Sequence, residues 1–566
     1  MNKFRKPVGI TLLCGLFLLL AASCSDITVA TYFEHGAVAS EAPIATDIGV
    51  EVFRRGGNAV DAAVAVGFGL AVVYPSAGNI GGGGFVVVRD GATATIRTLD
   101  FRETAPAAVT ETMYLDSTGE VIDRLSTTGA RSAGVPGTVA GLYALWRAYG
   151  TLPWEDLVRI AADLADTGFI VDQPLAAQFN QSASALLAFP STAAAFAPEG
   201  KVPSVGERLV QPDLARTLYT IAAEGPTGFY EGDIALAVDS TMKATGGLIT
   251  LEDLAAYTPV WREPISFTFD SLQIFTMAPP SSGGIVLGQM LKLMEPYDFS
   301  VMTAASPEYI HLFTETARLA YADRAVHLGD PAFYQVPGSL LDDSYLASRR
   351  AGISLETAGS SEQITAGNPP AQESEHTTHF SVCDSTGTMV AITYTLNSEF
   401  GSKLVVDGAG FLLNNEMDDF SLKPGHPNLY GLVGGDANKI EPGKRMLSSM
   451  TPALVLLHDQ PFMILGSKGG SKIITQVAEG IINYTRFGLS LQETTAFPRY
   501  HHQWLPDILY LEQGGFDVAT MQRLIRYGHV IEERSHYGGL HLIAIDQAGL
   551  MQGAVDPRTG GKASGN

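Results

Sequence analysis

The stretch His376-Thr377-Thr378-His379-Phe380-Ser381-Val382 decides how this chain is read. Two threonines stand at the head of an alternating, strand-like run, after a segment rich in Gly, Pro, Ser and Glu at residues 357–375. A cut between His376 and Thr377 would give Thr377 a free α-amine beside its own hydroxyl. Such an amine titrates near pH ~8 and can act as base for that hydroxyl. One residue then supplies the two groups that a serine hydrolase draws from separate side chains.

Outward from this point, residues 378–383 read as a strand, Asp384-Ser385-Thr386-Gly387 as a turn, and residues 388–396 as a second strand. A hairpin centred on Ser385-Thr386 pairs positions whose numbers sum to about 771. Thr377 is therefore expected opposite the stretch Tyr394-Thr395-Leu396-Asn397. A hydroxyl from Thr395 and an amide from Asn397 would then be within reach of the nucleophile and of whatever it attacks. The alternative is an ordinary hairpin with polar ends, which would require nothing further along the chain.

More follows. Asn414-Asn415-Glu416-Met417-Asp418-Asp419 places acidic side chains directly after an apolar strand. A glycine-rich loop at 427–438 carries one central aromatic, Tyr430, and Lys444-Arg445-Met446-Leu447-Ser448-Ser449 ends on two adjacent hydroxyls. Gly466-Ser467-Lys468-Gly469-Gly470-Ser471 opens a helix-like run at 473–484. Backbone N–H groups of a Gly-Gly turn entering a helix can stabilise a developing oxyanion.

These segments resemble the gamma-glutamyltransferase (gamma-glutamyltranspeptidase) family of N-terminal-nucleophile hydrolases. The same resemblance takes in Gly36-Ala37-Val38-Ala39-Ser40, Gly56-Gly57-Asn58-Ala59-Val60-Asp61, Gly81-Gly82-Gly83-Gly84-Phe85, Asp100-Phe101-Arg102-Glu103, Pro279-Pro280-Ser281-Ser282-Gly283-Gly284 and Asp556-Pro557-Arg558. It thus covers nearly the whole chain after the leader.

Position by position, the resemblance implies Thr377 as nucleophile, exposed by self-cleavage between His376 and Thr377, with Thr395 as its hydrogen-bond partner. It implies Arg102, Ser448 and Ser449 for the α-carboxylate of a γ-glutamyl group, and Asn397, Glu416 and Asp419 for its α-ammonium. Gly469 and Gly470 would form the oxyanion hole, and Tyr430 would sit on a lid loop. Relatives carry Gln or Glu at the position of Glu416, whereas Lys468 stands where some carry Pro or Ala. The chemistry is coherent: a guanidinium with two hydroxyls suits a carboxylate, and two acids suit an ammonium. The implied substrates are γ-glutamyl donors such as glutathione, with water or amino acid and dipeptide acceptors, and no cofactor.

Lys3, Arg5 and Lys6 precede an apolar run at 8–22, too short for a membrane span and typical of a signal peptide over 1–23. The run ends Leu20-Ala21-Ala22-Ser23-Cys24-Ser25, similar to a bacterial lipoprotein cleavage site, although Ala21 departs from the Leu usual three residues before the cysteine. Lipidation of Cys24 and a periplasmic, membrane-anchored location are expected, with plain cleavage nearby as the alternative. Of three cysteines, Cys14 lies in the leader and Cys383 in the hairpin, so no disulfide framework is expected and Cys383 reads as a small buried hydrophobe. His376-x-x-His379 and His501-His502 lack the helical spacing of a zinc site, and no metal is expected.

The net charge of −23 excludes a nucleic-acid partner, which needs basic stripes. With 566 residues, 46% of them hydrophobic, the chain can bury a large core. Residues 42–55 read as an amphipathic helix stopped by Gly56-Gly57, Asn58 caps a second apolar helix, and residues 85–99 make a hairpin around Asp90-Gly91. Helices dominate residues 138–294, and the last third returns to strands. The expected fold is α+β, the four-layer αββα sandwich implied by the resemblance. A large subunit (24–376) and a small catalytic subunit (377–566) would interweave in one domain. Two other functions remain open at this point: a glutaryl or β-lactam side-chain acylase on the same scaffold, and an inactive binding lipoprotein.

Overall fold

The hairpin after Thr377 forms, with Thr378 opposite Tyr394 and Cys383 opposite Met389. The computed structural model describes residues 31–364, 377–423 and 425–566. The signal peptide, Cys24 and His376 lie outside the described residues.

Thirteen strands build the two main antiparallel sheets. The first half of the chain contributes β1 (Gly36–Ser40), β2 (Gly83–Arg89), β3 (Ile96–Asp100), β4 (Val260–Arg262), β5 (Ile265–Phe269) and β6 (Leu272–Thr276). Beyond residue 377 come β7 (Thr378–Asp384), β8 (Met389–Thr395), β9 (Ala453–Leu457), β10 (Gln460–Gly466), β11 (His541–Ile545), β12 (Met551–Val555) and β13 (Lys562–Gly565). One sheet runs β13-β1-β7-β8-β2-β3-β4, the other β12-β11-β10-β9-β6-β5.

Strand alternation explains the layering. Successive side chains of a strand point to opposite faces. In β7 and β8, Phe380, Val382, Val390 and Ile392 join a core with the helices Pro43–Arg54 and Ala59–Val73. Each such side chain contributes about 1.5–3 kcal/mol when fully buried. Cys383, Met389 and Ala391 face the other way and meet Leu454, Ile464 and Ile543 of the second sheet. Beyond that sheet, Ile274, Val455, Met463 and Leu542 pack on the helices Gly283–Met294, Pro307–His327 and Ile473–Thr485. The order is helix, sheet, sheet, helix.

Local signals largely hold. Pro43 starts the first helix, and Asn58 caps the second through a reciprocal pair with Asp61, worth about 1 kcal/mol. Helices do dominate residues 138–294, interrupted by a short pair of strands, Phe169–Ile170 and Arg208–Leu209, and by β4, β5 and β6 before the Gly283–Met294 helix. Cys383 is buried between the sheets, where burial pushes its thiol up. Among the described residues no helix is long and apolar enough to cross a membrane.

Candidate active site

Alternation also sets the face on which Thr377 lies. Continuing the β7–β8 register places it against Thr395, on the side that carries His379, Ser381 and Cys383 toward the second sheet. Here the space between the sheets turns polar. His379 bonds Thr393 Oγ1 at 2.8 Å and Ser381 Oγ at 3.0 Å, and burial holds its ring well below the ordinary histidine pKa. Gly466, the last residue of β10, permits that ring's approach, since a Cβ there would lie 2.3 Å from His379 Nδ1. The chain then turns through Lys468, Gly469 and Gly470.

Thr377, Thr395, Asn397, Arg102, Glu416, Asp419, Tyr430, Ser448, Ser449 and Gly470 line one cavity at this point. It is narrow, with about 20 Å³ of space, room for roughly one water. Gly469 does not line it; that residue lines a neighbouring cavity with Lys468. Thr395 Oγ1 accepts the Asn397 N–H at 2.8 Å, and Asn397 Nδ2 donates to the Asn415 carbonyl at 3.0 Å. Asn397 has φ 75°, a left-handed conformation that asparagine tolerates better than most side chains. The Tyr430 hydroxyl donates to the Asn397 carbonyl, and its ring covers Gly470, where φ is 53° and a Cβ would lie 2.3 Å from the ring. Tyr430 thus forms the roof of the cavity.

Charge concentrates around Arg102, which follows β3 and is 1% exposed. Its guanidinium stands 2.5 Å from Glu416 Oε2, 2.5 Å from Asp419 Oδ2 and 3.6 Å from Glu103 Oε2. Burial works against the Arg102 charge, but Glu416, Asp419 and Glu103 outweigh it and hold it above its ordinary value. One guanidinium cannot balance three buried carboxylates. Burial accordingly raises Glu416 well above the usual carboxylate range, raises Asp419, and pushes Glu103 up to about 7. As carboxylates the three acids outnumber the guanidinium by two, and the raised values let retained protons offset part of that difference.

Sequence reasoning missed Arg324, on the Pro307–His327 helix, which also lines the cavity. It donates to Ser282 Oγ at 2.9 Å and to Ser449 Oγ at 3.2 Å. Among the described residues no carboxylate lies within 4.0 Å of it, and burial lowers its pKa to about 10. Its local sequence did not set it apart from Arg318 on the same helix, which pairs with Asp507 and Glu315. Glu103 was likewise quoted in a motif without a role.

A hydroxyl at a strand head, a guanidinium with two hydroxyls, and buried acids are a set suited to an amino acid head group. Residues 45–566 match the family model described as gamma-glutamyltranspeptidase. The chain belongs to the gamma-glutamyltranspeptidase family. The glutathione hydrolase proenzyme of Escherichia coli (strain K12) is 44% identical over 530 residues, covering 93% of this chain and 91% of that protein. The crystal structure of cephalosporin acylase from Bacillus halodurans superimposes with TM-score 0.84 at 27% identity, over 95% of this chain and 97% of that one. The Helicobacter pylori gamma-glutamyltranspeptidase crystal structure gives TM-score 0.56 at 42% identity, over 57% of this chain and 93% of that one. Membership brings with it the αββα N-terminal-nucleophile hydrolase fold described above.

Within this gamma-glutamyltranspeptidase family member, Lys468 brings no unbalanced charge to the Gly-Gly turn, because its ammonium pairs with buried Glu41. Metal-ligand donors converge elsewhere, at His311, Glu315 and His529, within 4.8 Å of one another. They are already engaged: His311 Nδ1 and His529 Nε2 share a 2.7 Å hydrogen bond, His311 Nε2 meets the Ser354 carbonyl, and Glu315 accepts the Gly359 N–H.

Proposed function

We propose that this chain is a self-processing γ-glutamyltransferase and glutathione hydrolase. The observation that carries the reading is the cavity in which Thr377 shares a wall with Arg102, Ser448 and Ser449 and with the buried acids Glu416 and Asp419. A γ-glutamyl donor presents a carboxylate and an ammonium on one carbon. The carboxylate suits Arg102 and the serine hydroxyls, and the ammonium supplies a further cation to Glu416 and Asp419, with Asn397 beside them. An α-linked peptide has lost one of these charges to the backbone and would leave a buried partner unpaired, at a cost of about 1–3 kcal/mol or more.

Maturation begins when the Thr377 hydroxyl attacks the carbonyl of His376, and hydrolysis of the resulting ester frees the Thr377 amine. In turnover that amine takes the hydroxyl proton as Thr377 Oγ attacks the donor's γ-carbonyl. Gly469 and Gly470 N–H groups stabilise the tetrahedral oxygen, and the proton passes to the departing amine, cysteinylglycine in the case of glutathione. Water or the amine of an amino acid or dipeptide acceptor then resolves the γ-glutamyl-threonine ester. Fragments 24–376 and 377–566 form the mature heterodimer. The leader supports export to the periplasm, with Cys24 as the site of a lipid anchor.

An acylase reading also has support, from the cephalosporin acylase likeness. Rates on matched γ-glutamyl and glutaryl anilides separate the two, because a glutaryl group has no ammonium for Glu416 and Asp419. Preference for the γ-glutamyl substrate is expected; a faster glutaryl reaction would overturn the assignment.

A further inference from the structure

Neither glycine of the Gly469–Gly470 turn has a side chain with which to hold itself, and both have positive φ, 124° and 53°. Glycine is permissive there, so neighbours must impose the geometry. Part of the hold is local: Ser467 Oγ donates to Gln476 Oε1 at 2.7 Å, and Gln476 Nε2 donates to the Lys468 carbonyl at 3.1 Å. The Lys472 N–H donates to the Gly469 carbonyl at 3.0 Å and the Tyr430 ring packs on Gly470, and a further tie runs through the Lys468 side chain, which does not line the Thr377 cavity. Its Nζ donates to Glu41 Oε1 and, at 3.2 Å, to the Tyr74 hydroxyl, and it lies 5.8 Å from the centre of the Tyr74 ring. Glu41 directly follows β1 and is 2% exposed. Its other oxygen lies 3.0 Å from His541 Nε2 on β11, without hydrogen-bond alignment. Burial opposes both charges; Glu41 nonetheless holds Lys468 above its ordinary value, and Lys468 with His541 holds Glu41 below its own.

We propose that Lys468 is a positioning residue: its buried ion pair with Glu41 fixes the Gly469 and Gly470 amides where the oxygen of the tetrahedral intermediate forms. This rests on the assignment of those amides to the oxyanion hole. A buried ion pair yields little net stability over an apolar pair of similar size, so what the turn gains from it is a fixed direction. The pair also ties the turn to the β1 segment, on the other side of residue 377.

The test uses the mature enzyme and the variants Lys468→Met, Lys468→Arg and Lys468→Met/Glu41→Leu. Four quantities are read: kcat and KM on a γ-glutamyl anilide, Tm, and the affinities of free L-glutamate and of its γ-boronic acid analogue, which forms a tetrahedral adduct. In Lys468→Met, kcat should fall about 10- to 100-fold and the boronate should weaken in parallel. KM and L-glutamate affinity should stay within about twofold, as expected when only transition-state contacts are lost. Lys468→Arg should recover most of kcat. The double variant, free of buried charge, should recover Tm but not kcat. A kcat in Lys468→Met within about twofold of wild type overturns the inference, as does recovery of kcat in step with Tm in the double variant. An active wild type with an unaffected Lys468→Met rejects the positioning role alone. A wild type without Thr377-dependent activity rejects the underlying site assignment, and the positioning role with it.

Discussion

The Arg102 guanidinium and the Glu416 carboxylate stand 2.5 Å apart, and neither is more than 1% exposed. The group assigned to a ligand's carboxylate is thus paired with a group assigned to its ammonium. A zwitterionic ligand can replace this internal pair by two external ones.

Protons should be released on binding. Burial keeps Glu416 well above the usual carboxylate range and raises Asp419, and an incoming ammonium favours their ionised forms. Titration calorimetry of L-glutamate near pH 7, in buffers of different ionisation heat, should show release of about one proton per site. Heats independent of buffer would show that the acids are already ionised.

Self-cleavage should depend on the Thr377 hydroxyl. Thr377→Ala should run as one uncut chain, whereas Thr377→Ser, which keeps a hydroxyl, should still yield two fragments. Denaturing electrophoresis with N-terminal sequencing reads this directly. A cut Thr377→Ala chain would assign the nucleophile elsewhere.

Arg324 should matter for binding although, among the described residues, no carboxylate pairs with it within 4.0 Å. It orients Ser449 and places a second positive charge on the cavity wall. Arg324→Gln is expected to lower kcat/KM by about 10- to 100-fold, mainly through KM, since charged hydrogen bonds contribute about 1.5–3 kcal/mol. Unchanged kinetics would reduce Arg324 to a packing role.

Glu103 and Asp418 should contribute stability that is lost as pH rises from about 5 to 8. Burial pushes Glu103 up to about 7 and Asp418 up to about 6. The folded chain therefore keeps protons that the unfolded chain releases above pH ~4.5, and stability decreases wherever the native state binds more protons. The Tm of the ligand-free wild type should therefore fall relative to that of Glu103→Gln across this range. A wild type and a Glu103→Gln variant whose Tm values change with pH in parallel would contradict the raised Glu103 value.

The hairpin and the helix caps were legible because their signals are local: alternation, Asp-Ser-Thr-Gly turn residues, and Asn58 three positions before Asp61. Strands β5 and β6 carried the same kind of signal in Ile265-Ser266-Phe267-Thr268-Phe269, but strong helical patterns on either side masked it. Residues implied by the resemblance do converge on one cavity, Gly469 excepted. Arg324 and the Lys468–Glu41 pair were not legible, because each acquires its meaning from a partner far away in the chain. Spacing rules see one helix face or one strand edge and cannot register such a meeting.

The place of β1 in the first sheet has a consequence for the cut molecule. β1 lies between β13 and β7, and both neighbours come from beyond residue 377. After a cut before Thr377, the two fragments could separate only by pulling a strand from the interior of a sheet. Separation would then be the same event as denaturation, so dilution should neither dissociate the pair nor lower its melting temperature. In that respect two polypeptides would carry the thermodynamics of one.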